Sequence, residues 1–334
     1  MKQITAILLV SILGFNLTAN ADHHEEGFIS IFDGKSLKGW DGNPKFWSVK
    51  EGAITGQTTA ENPTKGNTFV IWRANTVDQF ELRLKFKIVG GNSGIQYRSK
   101  DLGNWVVGGY QGDFEAGTTY SGILYEEKGR GILAQRGQMT EITTGKDGKH
   151  MVNVIGSIGD TKDIQSVIKK EDWNDYKIIA RGNHLTHIIN GRVTCDVTDS
   201  DKSRRQRSGI LALQLHAGPP MTVQFKDIRI KPLIGINITG SWQFTVETDQ
   251  GSGGPSFEFK QREGQLTGDY NGLFGEQPIK GKVQGNQVSF SLTGSYEGQE
   301  IESNYTGTIT GFNSMKGTLV IGDQFEASWT ANRK

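Results

Sequence analysis

Cysteine is almost missing from this chain. Cys195 is the single one among 334 residues, which excludes an internal disulfide framework and reads as a small buried hydrophobe. Proline is scarce at 7 residues, and neither sign of charge dominates, with 37 Lys and Arg against 36 Asp and Glu. A balance so near zero lacks the basic excess of a nucleic-acid binder. Apolar runs of membrane length are missing too. The longest, residues 4–17, is too short to span a bilayer and runs into polar Asp22-His23-His24-Glu25-Glu26. With Lys2 ahead of it and Ala19-Asn20-Ala21 behind it, residues 1–21 read as a secretory signal peptide cleaved near Ala21. The expectation is an exported protein, periplasmic or secreted, with no membrane span.

Glycine, by contrast, is abundant at 45 residues with no G-x-y period, the composition of many strands joined by tight turns. Hydrophobic alternation dominates over helical spacing. In Phe80-Glu81-Leu82-Arg83-Leu84-Lys85-Phe86-Lys87-Ile88 the apolar residues share one face and the charges the other, a half-buried antiparallel strand. Similar runs fall at 152–155, 176–181, 185–189, 209–216 and 221–230, separated by turn pairs such as Gly90-Gly91, Asp147-Gly148 and Asn190-Gly191. Composition shifts near Pro232-Leu233-Ile234-Gly235. Beyond it, short alternating segments follow at 241–246, 256–261, 265–270, 278–283, 287–292, 301–309, 315–321 and 325–330. A row of consecutive hairpins this regular can close into an up-and-down barrel, which abolishes exposed edges. Gly240-Ser241-Trp242 resembles the G-x-W opening of lipocalin-like barrels, and the aromatics Phe257, Phe259, Phe290 and Trp329 read as its core. Two domains are expected, 27–233 and 236–334, both all-β.

Polar residues on strand faces are the informative exceptions in such a protein. Four clusters stand out in the larger domain. Gly91-Asn92-Ser93-Gly94-Ile95-Gln96-Tyr97-Arg98 sets Gln96 and Arg98 on one face, with Gly94 opening a close approach to the backbone. Gly109-Tyr110-Gln111-Gly112-Asp113-Phe114 repeats the pattern with Gln111 and Asp113. Tyr125-Glu126-Glu127-Lys128-Gly129-Arg130-Gly131 is a charged, glycine-rich loop directly after a strand. Leu211-Ala212-Leu213-Gln214-Leu215-His216 points its leucines one way, and Gln214 and His216 the other. Each residue alone is better explained as a satisfied structural hydrogen bond. Gathered on one sheet, they offer the paired donors and acceptors that sugar hydroxyls need.

The order of these motifs resembles one family. Phe28-Ile29-Ser30-Ile31-Phe32-Asp33-Gly34-Lys35-Ser36-Leu37-Lys38-Gly39-Trp40 is similar to the opening of the 3-keto-disaccharide hydrolases. Asn92-Ser93-Gly94-Ile95-Gln96-Tyr97-Arg98, Trp173-Asn174-Asp175-Tyr176, Asn190-Gly191, and the closing pair 209–216 and 223–231 match its later stretches in order. Tyr110-Gln111-Gly112-Asp113 departs from the family's pattern: Gln111 stands where a Glu is usual and Asp113 where a Gln is usual. The resemblance implies a concanavalin-like jelly-roll sandwich over 27–233, followed here by the small lipocalin-like barrel.

It also implies chemistry on glycosides oxidised at C3. The ketone acidifies the C2 proton, so one base, an oxyanion-stabilising group and an acid for the leaving group suffice. On that reading His216 or Asp113 is the base, Arg98 with Gln96 steadies the keto oxygen, and Glu126 or Glu127 is the acid or a sugar anchor. Gln111, Tyr125, Arg130 and Gln214 complete the substrate contacts. The substrate is then a small molecule or oligosaccharide. A divalent metal is left open, with Asp113, His216 and Glu126 as ligands, although His184 and His187 lie three apart on a strand and face opposite sides. Two other readings stand beside it: a non-catalytic, lectin-like carbohydrate binder, and an ordinary glycoside hydrolase with two flanking carboxylates.

Overall fold

The computed structural model describes residues 27–233, 236–248, 251–262, 264–296, 298–322 and 325–334. The expected signal peptide and the residues Ile234-Gly235 at the junction lie outside the described residues. Alternation translates directly into two stacked sheets. A ten-stranded sheet runs in the order His150–Ser157, Gln138–Thr144, Arg192–Asp199, His184–Ile189, Asn174–Arg181, Phe80–Val89, Met221–Pro232, Ala53–Thr58, Trp47–Lys50, with Ile29–Ser30 pairing onto Met221–Pro232. A seven-stranded sheet runs Gly131–Ala134, Leu124–Glu127, Val107–Glu115, Asn92–Asp101, Gly209–Leu215, Thr68–Val77, Trp40–Asp41. Neighbouring strands are antiparallel except Gln138–Thr144 and Arg192–Asp199, which run parallel. This is the jelly-roll sandwich.

Between the sheets lies an aromatic and aliphatic core. Phe80, Leu82, Leu84, Phe86 and Ile88 project from one side; Ile95, Tyr97, Tyr110, Phe114, Leu124, Leu211, Leu213 and Leu215 project from the other. Phe86 and Phe114 meet with ring centroids 4.0 Å apart. Cys195 is fully buried. Strand His150–Ser157 is the exception to half-burial. It forms the sheet's edge, and Met151, Val152, Val154 and Ile155 stay exposed. Among the described residues there is one helix, Thr161–Ser166, capped by Asp160 accepting from the amide of Lys162 at 2.8 Å. No described helix is long and apolar enough to cross a membrane.

The eight alternating segments of the second region become eight strands: Gly240–Thr248, Ser256–Arg262, Gln265–Gly272, Gly275–Gln284, Gln287–Tyr296, Gln299–Gly311, Ser314–Ile321 and Phe325–Arg333. The first pairs with the last, closing the barrel. Phe244, Phe257, Phe259, Phe290, Tyr305 and Trp329 fill its interior, each no more than 4% exposed. The barrel is therefore a packed body. Trp242 donates to the carbonyl of Ile238 at 2.8 Å while the Arg333 guanidinium lies 4.7 Å over its ring.

His187 shows how polar groups survive in the sandwich core. It is fully buried, with Nε2 2.9 Å from the Tyr97 hydroxyl and Nδ1 3.3 Å from the Tyr176 hydroxyl. Burial holds its pKa down at about 3, so the native ring is neutral. The unfolded chain, with a His pKa near 6.5, binds the extra proton between these values, so stability falls as pH drops from about 6.5 towards 3. His187→Gln keeps hydrogen-bonding capacity without a titrating ring. Urea denaturation midpoints should therefore fall less steeply between pH 6.5 and 4 in that variant than in the native protein.

Candidate functional site

Because the core claims one face of the seven-stranded sheet, side chains of opposite parity stand on its outer face. There Asn67, Asn92, Gln111, Asp113, Tyr120, Tyr125, Glu127, Gln214 and His216 line a cavity of about 600 Å³, with Ile123, Ile132 and Met221 as apolar wall. Six of the ten residues expected from sequence converge here: Asp113, Gln111, Tyr125, Glu127, Gln214 and His216. Gln96 lies beneath the rim, its amide donating to Gln111 Oε1 at 2.7 Å.

Asp113 is the most perturbed carboxyl of the cavity. It is 7% exposed. Gln111 donates to its Oδ1, and Asn92 approaches Oδ2 at 3.5 Å. Burial pushes the carboxyl up to about 7, with the negative Glu127 and Glu115 adding to the rise against the donations from Gln111 and Asn92. A carboxyl with that value carries its proton about half the time at neutrality, as acid–base work requires.

His216 supplies the complementary group. Its Nδ1 lies 2.5 Å from the carbonyl of Ala217. A carbonyl only accepts, so Nδ1 carries the hydrogen and Nε2 of the neutral ring holds the free lone pair. Asn67 accepts from the amide of Ala217 at 3.0 Å, fixing the turn that carries the histidine. Glu127 is reached at 3.5 Å by the amides of both Asn67 and Gln214. Gln214, fully buried beneath the cavity floor, has no hydrogen-bond partner for its Oε1 among the described residues.

Three expected residues lie elsewhere. Arg98 does not share the face of Gln96. It adopts φ 48° at a bulge where the register between Tyr97 and Lys100 shifts, which turns its side chain to the sandwich end. There it donates to the carbonyls of Asp78 at 2.6 Å and Gly182 at 2.7 Å. Glu126 has the parity of Leu124 and so points between the sheets, where Arg130 meets it at 2.6 Å. Arg130 also bonds Asp199 at 2.6 Å, making a buried ionic cluster that ties the 125–131 loop to the ten-stranded sheet. The ligand set Asp113, His216 and Glu126 is therefore not assembled, and among the described residues no group of three or more His, Cys, Asp or Glu is placed to hold a metal.

Sequence reasoning missed Asn67, Tyr120 and Glu115, and left Asn92 unassigned within its motif. Asn67 and Tyr120 sit on irregular segments without periodicity. Tyr120 is placed by Glu115, whose Oε1 accepts from the amides of Thr119 at 2.5 Å and Tyr120 at 3.0 Å. Arg136 holds the same loop through the carbonyls of Thr118 at 2.8 Å and Ser121 at 2.7 Å.

The model of the 3-keto-alpha-glucoside-1,2-lyase-like domain matches residues 27–231. The chain belongs to that family. A 3-keto-disaccharide hydrolase of Bacteroides thetaiotaomicron is 33% identical over 87 residues, 23% of this chain. The match spans only 29% of that relative's length. Among solved structures, a Parabacteroides distasonis protein provisionally assigned as a glycosyl hydrolase aligns at 20% identity and TM-score 0.41, covering 62% of this chain and 99% of its own. The carbohydrate-binding module CBM66 of Bacillus subtilis aligns at 15% identity and TM-score 0.38, covering 58% and 95%. At these scores neither likeness bears on chemistry. The 3-keto-alpha-glucoside-1,2-lyase-like domain of this chain thus has its polar cavity on the outer sheet face and its Arg130 cluster inside the fold. Arg130→Met should lower unfolding free energy by about 3–5 kcal/mol, the cost of leaving buried carboxylates unpaired. Urea denaturation checks this; a variant of native stability would return Arg130 to the list of substrate contacts.

Proposed function

We propose that this protein is a carbohydrate-acting hydrolase that cleaves glycosides carrying a ketone at C3, with His216 as base and Asp113 as acid. The observation that carries the proposal is the pairing, in one sugar-sized cavity, of a ring nitrogen with a free lone pair and a carboxyl that keeps its proton near neutrality. An ordinary glycosidase needs one protonated and one ionised carboxyl flanking an oxocarbenium-like centre, and no imidazole. The cavity has carboxylates to spare in Glu127 and Glu115, but beside the protonatable Asp113 it sets the His216 imidazole and a ring of side-chain amides, and it is the imidazole that suits proton removal beside a carbonyl.

His216 Nε2 takes the C2 proton, whose bonding electrons form the C1–C2 double bond. The C1–O bond breaks with its electrons on the leaving oxygen, which takes the proton of Asp113. Water can then add, its hydroxyl to C1 and its remaining proton to the Asp113 carboxylate, while His216 returns its proton to C2. The overall change is hydrolysis. With Arg98 elsewhere, the amide N–H groups of Asn92 and Asn67 are the donors nearest to hand for the keto oxygen and hydroxyls, and Tyr120 and Tyr125 add aromatic lining.

His216→Ala should lose roughly 10²–10⁴-fold in kcat on a 3-keto-glucoside whatever its aglycone. Asp113→Asn should lose as much on a 3-keto disaccharide but little on a 3-keto glucoside with a phenolic leaving group, which departs without a proton. Activity of the native enzyme should fall as pH rises through about 7, because the acid form of Asp113 is the working one. Sugar binding by native protein without cleavage of any 3-keto substrate would replace this reading with the lectin-like one.

A further inference from the structure

Behind Asp113 runs a row of buried side chains that the reaction itself does not touch. Ser99 Oγ donates to Gln96 Oε1 at 2.7 Å, Gln96 Nε2 donates to Gln111 Oε1 at 2.7 Å, and Gln111 Nε2 donates to Asp113 Oδ1. Ser99 is 2% exposed, Gln96 0% and Gln111 2%. The row crosses between neighbouring strands, since Gln96 pairs with Gln111 in the register of Asn92–Asp101 on Val107–Glu115. Two glycines make room for it. A Cβ at Gly94 would overlap the Gln111 side chain, and one at Gly109 would lie 2.5 Å from Ser99 Oγ. The open approach to the strand backbone that Gly94 provides is thus used by Gln111 rather than by a ligand.

We propose that Ser99 and Gln96 are positioning residues that orient the Gln111 amide so that Asp113 Oδ1 is always occupied by a donor and the transferable proton is confined to Oδ2. This rests on the acid role of Asp113 proposed above. The direction of the row follows from donor chemistry. A carboxylate oxygen accepts, so Gln111 turns its NH₂ to Asp113 and its carbonyl to Gln96. Gln96 then turns its NH₂ to Gln111 and its carbonyl to the Ser99 hydroxyl. Each amide is oriented by the next, and none can turn without leaving a buried donor or acceptor facing its like. Oδ2, facing Asn92 at 3.5 Å, is the less tightly held oxygen. The ionisable groups around Asp113 are Glu115 on its own strand, Glu127 and Tyr125 on the neighbouring strand, Tyr176 from the facing sheet, and Tyr120 and His216 on the cavity wall. None of them bonds to Oδ1, so the Gln111 donation is what distinguishes the two oxygens.

Gln96→Glu tests the direction. A carboxylate at position 96 faces Gln111 with an acceptor, so the Gln111 amide turns round and presents its carbonyl to Oδ1. Asp113 should then hold its proton on Oδ1 and titrate at least about one unit higher, read from the carbonyl carbon shift of labelled Asp113 against pH. The alkaline limb of kcat should move with it, and kcat should fall roughly ten-fold with KM within two-fold, because the acid is misoriented rather than the sugar lost. Ser99→Ala, the milder change, should move the titration the same way by less, and Gln111→Glu should not reproduce the split. An Asp113 titration unchanged in both Gln96→Glu and Ser99→Ala, each folded by its thermal midpoint, overturns the proposal. A shifted titration in a protein that cleaves no 3-keto substrate upholds the positioning row and removes the catalytic reading instead.

Discussion

The stacking of two sheets around one aromatic core is the constraint on which everything else depends. Once Tyr97, Tyr110, Phe114 and Leu213 are committed to the interior, strand geometry forces their neighbours Gln96, Gln111, Asp113 and Gln214 onto the opposite face. The cavity is thus a by-product of core formation: its polar lining comes from the residues that packing leaves over. The same rule separates Glu126 from Glu127. Adjacent in sequence, one is drawn inside to Arg130 and the other is set on the cavity wall.

The two carboxylate environments differ in what compensates burial. Glu126 and Asp199 meet a guanidinium at 2.6 Å each, and a paired buried ion can stay charged. Asp113 has only neutral amides and two like-charged neighbours. Hydrogen bonds from Gln111 and Asn92 offset only part of its desolvation, so its proton is held to about 7. Placing an unpaired acid where no cation reaches costs stability and makes a reactive group. The stiff amide row behind it limits the freedom that such a group would otherwise have.

The barrel follows a different economy. Its alternation is as regular as that of the sandwich, yet its inward positions carry Phe244, Phe257, Phe290 and Trp329, and the interior is closed by their rings. Apart from the buried Ser303, its polar side chains lie mostly outside, and among the described residues the barrel has no counterpart of the Gln–Gln–Asp row.

Much of this was legible from residue order alone. Period-two hydrophobicity and glycine turns were enough for the all-β class, the eight barrel strands and the facing of Asp113, Gln111, Gln214 and His216, because pleating ties parity to face wherever a strand stays regular. Arg98 escaped that reading because a bulge breaks the alternation, and Glu126 because 125–131 read as a loop, whereas Leu124–Glu127 is a strand in which it shares the inward face of Leu124. The convergence of Asn67, Asn92 and Tyr120, the partnering of Arg130, and the proton affinity of Asp113 depend on distances across strands far apart in the chain. Those distances are decided only when the sheets pack, since desolvation and long-range hydrogen bonds have no meaning before the chain has a tertiary structure.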